Sequence, residues 1–287
     1  MPLVEFFGIG APRSGTSWIA KCLDEHPELA VPIKETHHFS REYEYKKGAK
    51  FYESRIAEFY SGLGRVGEFC PNYLAVKPCA ERLYSYNPQA PLIVILRNPI
   101  DRAFSHFLFE VRHGQVDINN GILSYLDSRH EYLMHGYYHK CLQRYTEAGF
   151  SREKILILFY EEVNVDPIAE YKKILVHLGV KDVDFVPVNM AQKVNETRLL
   201  RNRYVEHFFD IVDRLFKTPK LIFFRRLISR TGIPSRLRTY NSKSAKLSLT
   251  EAERSSLRDR FYSDVADLEK WLGRKVPWSE FFFSSNR

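Results

Sequence analysis

Short apolar runs bounded by turn residues recur through the first 160 positions, and between them lie longer stretches where apolar residues return every three or four places. The first pattern is that of buried strands, the second that of helices packing one face. Strands are predicted over Leu3 to Ile9, Leu29 to Ile33, Val66 to Cys70, the wholly apolar LIVIL of Leu92 to Leu96, and Ile155 to Tyr160. Helices are predicted from Gly15 to about His26, where Pro27 ends the pattern, and over Pro78 to Tyr86, Asp101 to His113 and Gly136 to Ala148. Two more are expected, over Pro167 to Leu178 and from about Thr250 to Leu272. This alternation makes an α/β fold with a mainly parallel central β-sheet flanked by helices. One domain is expected over 1–287: an α/β core over 1–190, a basic helical elaboration over 191–247 serving as insertion or lid, and a C-terminal helix over 248–287 packed on the core.

Composition adds a location and an asymmetry. No apolar run approaches the ~20 residues of a membrane-spanning helix, and the opening MPLVEFFGIG reads as a strand rather than a signal peptide. Cys22, Cys70, Cys79 and Cys141 show neither C-x-x-C spacing nor clustering with histidine, which disfavours a disulfide scaffold or a zinc site. A soluble protein of a reducing compartment, the cytoplasm, is expected. The formal charge of +8 is concentrated: residues 196–247 hold thirteen Lys or Arg against four acids, a net +9 that leaves −1 for the rest. Such a segment is either a solvated basic face or a surface for nucleic acid, membrane or another polyanion, and charge alone does not choose.

The strongest local signal follows the first strand, where Gly10-Ala-Pro-Arg-Ser-Gly-Thr-Ser17 opens a helix. Glycines let the backbone turn so that successive amides and the helix N-terminus point at one anion, a phosphate or sulfate. A ligand-free glycine turn is the alternative. Against the nucleotide-hydrolysing pattern G-x-x-x-x-G-K-[ST], both glycines and the final hydroxyl of Ser17 are present, but Thr16 stands where the lysine belongs. Arg97, after LIVIL, stands where a magnesium-binding aspartate belongs, so a fixed cation takes the place of a metal site and kinase chemistry is disfavoured. Ser105, two helical turns beyond Arg97, returns to the same side, and an arginine with a hydroxyl can clamp a second phosphate.

These residues resemble the sulfotransferases that use 3′-phosphoadenosine 5′-phosphosulfate (PAPS), within them the heparan-sulfate-type and bacterial carbohydrate-type members. The first loop is similar to their 5′-phosphosulfate loop, and LRNPIDRAFSHF to their 3′-phosphate element. The likeness extends over most of the chain, through YLAVKPCAERLYSYNPQAPLIVILRNP, ILILFYEEV with Asp166-Pro167, and the closing DLEKWLGRKVPW. It implies a P-loop-like sheet and transfer of a sulfuryl group from PAPS to an acceptor hydroxyl, with adenosine 3′,5′-bisphosphate leaving and no metal required. By the same resemblance Arg13 is the cation near the bridging oxygen, Ser14, Gly15, Thr16, Ser17 and Trp18 shape the 5′ pocket, and Arg97 with Ser105 takes the 3′-phosphate. Lys243 in YNSKSAKL is a further phosphate contact, with Lys246 as a weaker candidate.

An attacking hydroxyl must lose its proton, and Lys34-Glu-Thr-His-His-Phe39 after the second strand offers a base. Glu35 matches the glutamate of the family's E-x-H-F-F-like motif, and His37, two residues on, shares its face if the segment stays extended. Phe69 replaces a lysine of the heparan-sulfate members, Ser40 replaces an acid, and their cysteine-bounded late loop is absent, which suits the bacterial carbohydrate-type branch. The expected acceptor is a carbohydrate, glycan or glycolipid, with no nucleic-acid partner. The stretch around 199–230, with FFDIVDRLF and LIFFRRLI, is an acceptor lid, a peripheral membrane contact or a packed helical pair. The rival classes are a phosphotransferase with a degenerate loop, which needs magnesium and a nucleoside triphosphate, and a non-catalytic polyanion-binding protein, which needs neither Glu35 nor the loop.

Overall fold

The computed structural model describes residues 3–191, 199–200, 242–243 and 248–282. Five strands, β1 (Phe6–Gly10), β2 (Leu29–Ala30), β3 (Arg65–Phe69), β4 (Leu92–Leu96) and β5 (Ile155–Phe159), form one sheet in the order β2-β3-β1-β4-β5. Every pairing in it is parallel. Alternate residues of a strand face opposite sides, and both sides are covered. Leu92, Val94 and Leu96 enter a large core with Phe7 and Ile9, while Ile93 and Ile95 enter a smaller one with Phe6 and Phe69. A strand buried on both faces has no polar alternation to keep, which is why LIVIL is apolar throughout. Between β1 and β3 the partners Phe6 and Gly67, and Gly8 and Phe69, pack ring against glycine; a Cβ at Gly8 would lie 2.0 Å from Phe69 Cδ1.

Helices α1 (Thr16–Asp24), α2 (Glu42–Tyr45), α3 (Ala49–Ala57), α4 (Cys79–Tyr86), α5 (Pro99–Arg112), α6 (Ile122–Ser128), α7 (His130–Met134), α8 (Tyr138–Glu147), α9 (Tyr160–Val165), α10 (Pro167–Leu178) and α11 (Glu251–Leu272) surround the sheet. The smaller core is closed by Trp18, Ile19 and Leu23 of α1 and by Tyr171, Ile174 and Leu178 of α10. The larger core takes α3, α4, α5, α8 and the C-terminal α11, whose Leu257, Phe261, Val265 and Leu268 are buried in it. Local sequence sets the ends: Thr250 and Glu253 form a capping box for α11, and Gly273 ends it at φ +68°. All four cysteines are free and buried.

Two predicted strands are shorter than expected. β1 begins at Phe6 rather than Leu3. β2 stops at Ala30 instead of Ile33, because the Val31 amide donates to Asp24 Oδ1 at 2.8 Å and Pro32 has no amide to continue a ladder. The expected basic elaboration over 191–247 falls outside the described residues except at its edges. There β6 (Leu199–Leu200) and β7 (Ser242–Lys243) form an antiparallel pair with Leu200 opposite Ser242, and the backbone of β6 lies beside α5. The lid, membrane-contact and helical-pair readings of 199–230, and Lys246, therefore concern residues almost wholly outside the described set. Among the described residues no helix is long and apolar enough to cross a membrane, and no cluster of His, Cys, Asp and Glu could hold a metal ion.

Candidate active site

The loop after β1 delivers an uncapped helix end. Gly15 is the N-cap of α1 at φ +84°, a left-handed conformation that favours glycine, and no side chain caps the helix nor does an acid occupy its first turn. An anion placed there meets free amides and the positive end of the helix dipole. Ser14 beneath the loop is fully buried, and its Oγ has no hydrogen-bond partner. Since a buried hydroxyl without a partner is costly, this orphan atom fits a site completed by a polar ligand.

β4 lies beside β1, so its C-terminal turn meets the same loop. Arg97 Nη1 donates to the Arg13 carbonyl at 3.1 Å, and the Arg97 guanidinium lies 4.8 Å from the centre of the Tyr160 ring. Arg13 Nε reaches Ser105 Oγ at 3.4 Å, and its guanidinium lies 4.7 Å from the centre of the Phe109 ring. Arg13, Gly15, Thr16, Ser17 and Trp18 thus meet Arg97 and Ser105 around one cavity of about 90 Å³, with Tyr160 completing the wall. Among the described residues no carboxylate lines it. Burial lowers the Arg13 pKa, and the charges of Arg97, Arg112 and Arg102 lower it further, with Glu35 opposing. The surplus positive charge suits an anionic ligand. Trp18 is fixed by its indole N–H, which donates to the Asn189 carbonyl at 2.8 Å.

Support comes from distant parts of the chain. The Tyr138 hydroxyl, fully buried at the start of α8, donates to the Arg97 carbonyl at 2.7 Å. Asn98 caps α5 by accepting from the Ile100 amide, and its own amide donates to Glu161, which also accepts from Trp278 Nε1. Arg254 of α11 pairs with Asp101 and Glu280 at 2.7 Å each, and Glu280 accepts from the Asn98 side chain. The C-terminal helix therefore clasps the turn that carries Arg97.

The segment carrying Glu35 and His37 departs from the extended conformation expected of it. Lys34 still bridges Phe69 in strand fashion, and the Glu35 amide donates to the Phe69 carbonyl at 2.9 Å. The chain then turns through left-handed Glu35 (φ +57°) and His37 (φ +56°) on either side of Thr36. Glu68, fully buried, grips Thr36 there. It accepts from the Thr36 amide at 2.9 Å and hydroxyl at 2.6 Å, from Tyr52 at 2.7 Å and from Tyr73 at 3.0 Å. Burial raises the Glu68 pKa while these donors oppose the rise. Among the described residues the non-glycine residues at positive φ are Arg13, Glu35 and His37, the three expected to be catalytic.

Glu35 is half-exposed and pairs with Lys34 at 3.4 Å, and its charge acts on both Arg13 and His37. His37 Nδ1 lies 3.3 Å from Ser40 Oγ and 3.5 Å from Cys70 Sγ, and burial lowers its pKa. Lys34 Nζ donates to Ser17 Oγ at 2.5 Å, joining this segment to the loop of α1. Lys243 is placed only by the backbone of β7. The sequence assigned no role to Tyr160, Tyr138, Glu68 or Lys34. Tyr160 alone had a usable signal, since it follows the last residue of a parallel strand, the end at which α/β sheets bind ligands.

A family model described as the sulfotransferase domain matches residues 5–197. Human heparan sulfate glucosamine 3-O-sulfotransferase 3B1 is 25% identical over 183 residues, 61% of this chain and 46% of that protein. The membrane-associated sulfotransferase kil1 of Dictyostelium discoideum is 30% identical over 112 residues, 38% of this chain and 24% of that protein. The chain thus spans less than half the length of these curated relatives. A sulfotransferase crystal structure from Alicyclobacillus acidocaldarius superposes with a TM-score of 0.67 at 23% identity, covering 97% of this chain and 98% of that one, and so shares its fold.

Proposed function

The chain belongs to the sulfotransferase domain family, and from that premise we propose that it transfers the sulfuryl group of PAPS to the hydroxyl of a carbohydrate acceptor. The observation that carries this reading is the shared cavity, in which Arg13, Gly15, Thr16, Ser17 and Trp18 with the pair Arg97 and Ser105 present cations, hydroxyls and free amides, and no carboxylate among the described residues. In this reading Ser14, Gly15, Thr16, Ser17 and Trp18 hold the 5′-phosphosulfate, while Arg97 and Ser105 take the 3′-phosphate. Lys243 adds a contact from β7. The acceptor oxygen bonds to sulfur as the bond from sulfur to the 5′-phosphate oxygen breaks. The electron pair leaves with adenosine 3′,5′-bisphosphate, and the acceptor proton passes to Glu35. Arg13 offsets charge developing on the leaving oxygen, and the protein's main contribution is alignment and fixed positive charge. His37, whose neutral form burial favours, steadies the acceptor side. The carbohydrate assignment is supported by the heparan sulfate enzymes among the similar proteins.

Calorimetric titration with adenosine 3′,5′-bisphosphate, compared with magnesium ATP, tests the donor. Micromolar-range binding without metal is expected, weakened at least about tenfold in Arg97→Ala, since a bidentate charge-assisted contact is lost. A preference for magnesium ATP, or no binding of the bisphosphate, would sink the reading. Glu35→Gln should keep bisphosphate affinity within about twofold while turnover falls by ~10² or more, the range for a general base. Equal losses of affinity and turnover would remove that role from Glu35.

A further inference from the structure

We propose that Lys34 is a positioning residue of this site: its ammonium group aims the Ser17 hydroxyl proton into the cavity and ties the Glu35 carboxylate to the loop of α1. The proposal rests on the donor reading above. Lys34 belongs to neither the loop nor α1. Its backbone is fixed from the other side, by the parallel bridge to Phe69 at the end of β3 and by the adjoining bond from the Glu35 amide to the Phe69 carbonyl. From there its side chain crosses to α1 and ends 2.5 Å from Ser17 Oγ and 3.4 Å from Glu35 Oε1.

An ammonium group has three protons and no lone pair, so in the contact with Ser17 the hydroxyl oxygen is the acceptor. The single hydroxyl proton is then left for another partner. Ser17 lines the cavity, so an anion bound there can take that proton. Lys34 thereby turns a rotor that can donate or accept into a donor backed by a positive charge, the stronger kind of hydrogen bond to an anion. The same ammonium holds Glu35, whose carboxylate has no other hydrogen-bond or ion-pair partner among the described residues. Base and loop are spaced by one side chain.

A double-mutant cycle read by titration with adenosine 3′,5′-bisphosphate tests this without any acceptor. Lys34→Met and Ser17→Ala are each expected to weaken binding about tenfold. The double variant should be no more than about twofold weaker than either single one, because both remove the same contact. Lys34→Arg, which restores a donor-only cation, should bind within about threefold of wild type, a rescue that a merely space-filling lysine would not predict. Losses that multiply to about a hundredfold in the double variant, or undiminished affinity in Lys34→Met, would overturn the assignment while leaving the donor reading intact. A wild-type protein that does not bind the bisphosphate would overturn both.

Discussion

A left-handed backbone at a residue with a Cβ costs about 1 kcal/mol or more, so it persists only where neighbours hold it. At Arg13 the holders are Arg97, through the carbonyl, and Ser105, through the side chain. At Glu35 and His37 the holder is Glu68, which fixes Thr36 between them. Next to this clasp His38 is buried, its ring stacked on Tyr52 at 4.6 Å, its Nδ1 without a hydrogen-bond partner. Burial pushes its imidazole from the ordinary 6.5 down to about 4, against the opposing charge of Glu44. The folded state therefore favours the neutral ring. Its contribution to stability is whole above pH 6.5, where the unfolded chain is also neutral, and is lost as pH falls toward about 4. His38→Phe, which keeps the stacked ring, is expected to flatten the fall in denaturant-measured stability between pH 6.5 and 4; parallel curves for the two proteins would contradict this. Arg13, Gly15, Thr16, Ser17, Trp18, Arg97 and Ser105, which line the shared cavity, were legible in the sequence, because glycines, hydroxyls and arginines stand there at fixed offsets from a strand end. Glu68, Tyr138 and Lys34 were not legible. What they do depends on Thr36, Arg97 and Ser17, which lie far from them along the chain and meet them only in the folded sheet.

At the scale of elements, all five main strands and the helices α1, α4, α5, α8, α10 and α11 follow the apolar pattern. The helices α2 and α3 do not announce themselves, since α2 is a single turn and α3 buries only Tyr52 and Ile56 among polar residues. Caps are equally uneven. Asp166 caps α10 from within its own sequence, accepting from the Ala169 amide at 3.0 Å, and is readable as Asp-Pro before an apolar run. α8 has no side-chain cap of its own; Asp264 of α11 supplies one by accepting from the amides of His139 at 3.0 Å and Lys140 at 3.1 Å. A cap donated by a helix more than a hundred residues away is invisible to any local rule. Asp264→Ala should cost about 1–2 kcal/mol, as for loss of a helix cap, measured as a lowered denaturant midpoint at unchanged slope. An unchanged midpoint would mean that water replaces the carboxylate at that helix end.

For the whole molecule, strand order places the chemistry. β1 is central, with β4 on one side and β3 on the other, so the segments leaving the C-terminal ends of β1 and β4 converge with the one that passes the end of β3. Among the described residues the basic segment is bounded by two paired rungs, Leu199 with Lys243 and, on the inner side, Leu200 with Ser242. Replacing residues 201–241 with a two-residue Asn-Gly turn should therefore close the inner rung without strain. It would remove ten Lys or Arg and three acids, taking the formal charge from +8 to +1. Bisphosphate affinity is expected to stay within about threefold, while binding to a polyanion such as heparin should drop sharply at low salt. Loss of nucleotide binding in that variant would place part of the donor site within 201–241. The four buried cysteines add a property of a different kind. Cys22 lies in the smaller core and Cys70, Cys79 and Cys141 in the larger, and burial raises the pKa of each thiol, that of Cys22 and of Cys141 to about 12. Thiols so protected meet an alkylating reagent only when the packing around them opens. The order in which they become labelled records which face of the sheet comes apart first, so the molecule carries its own reporters of unfolding.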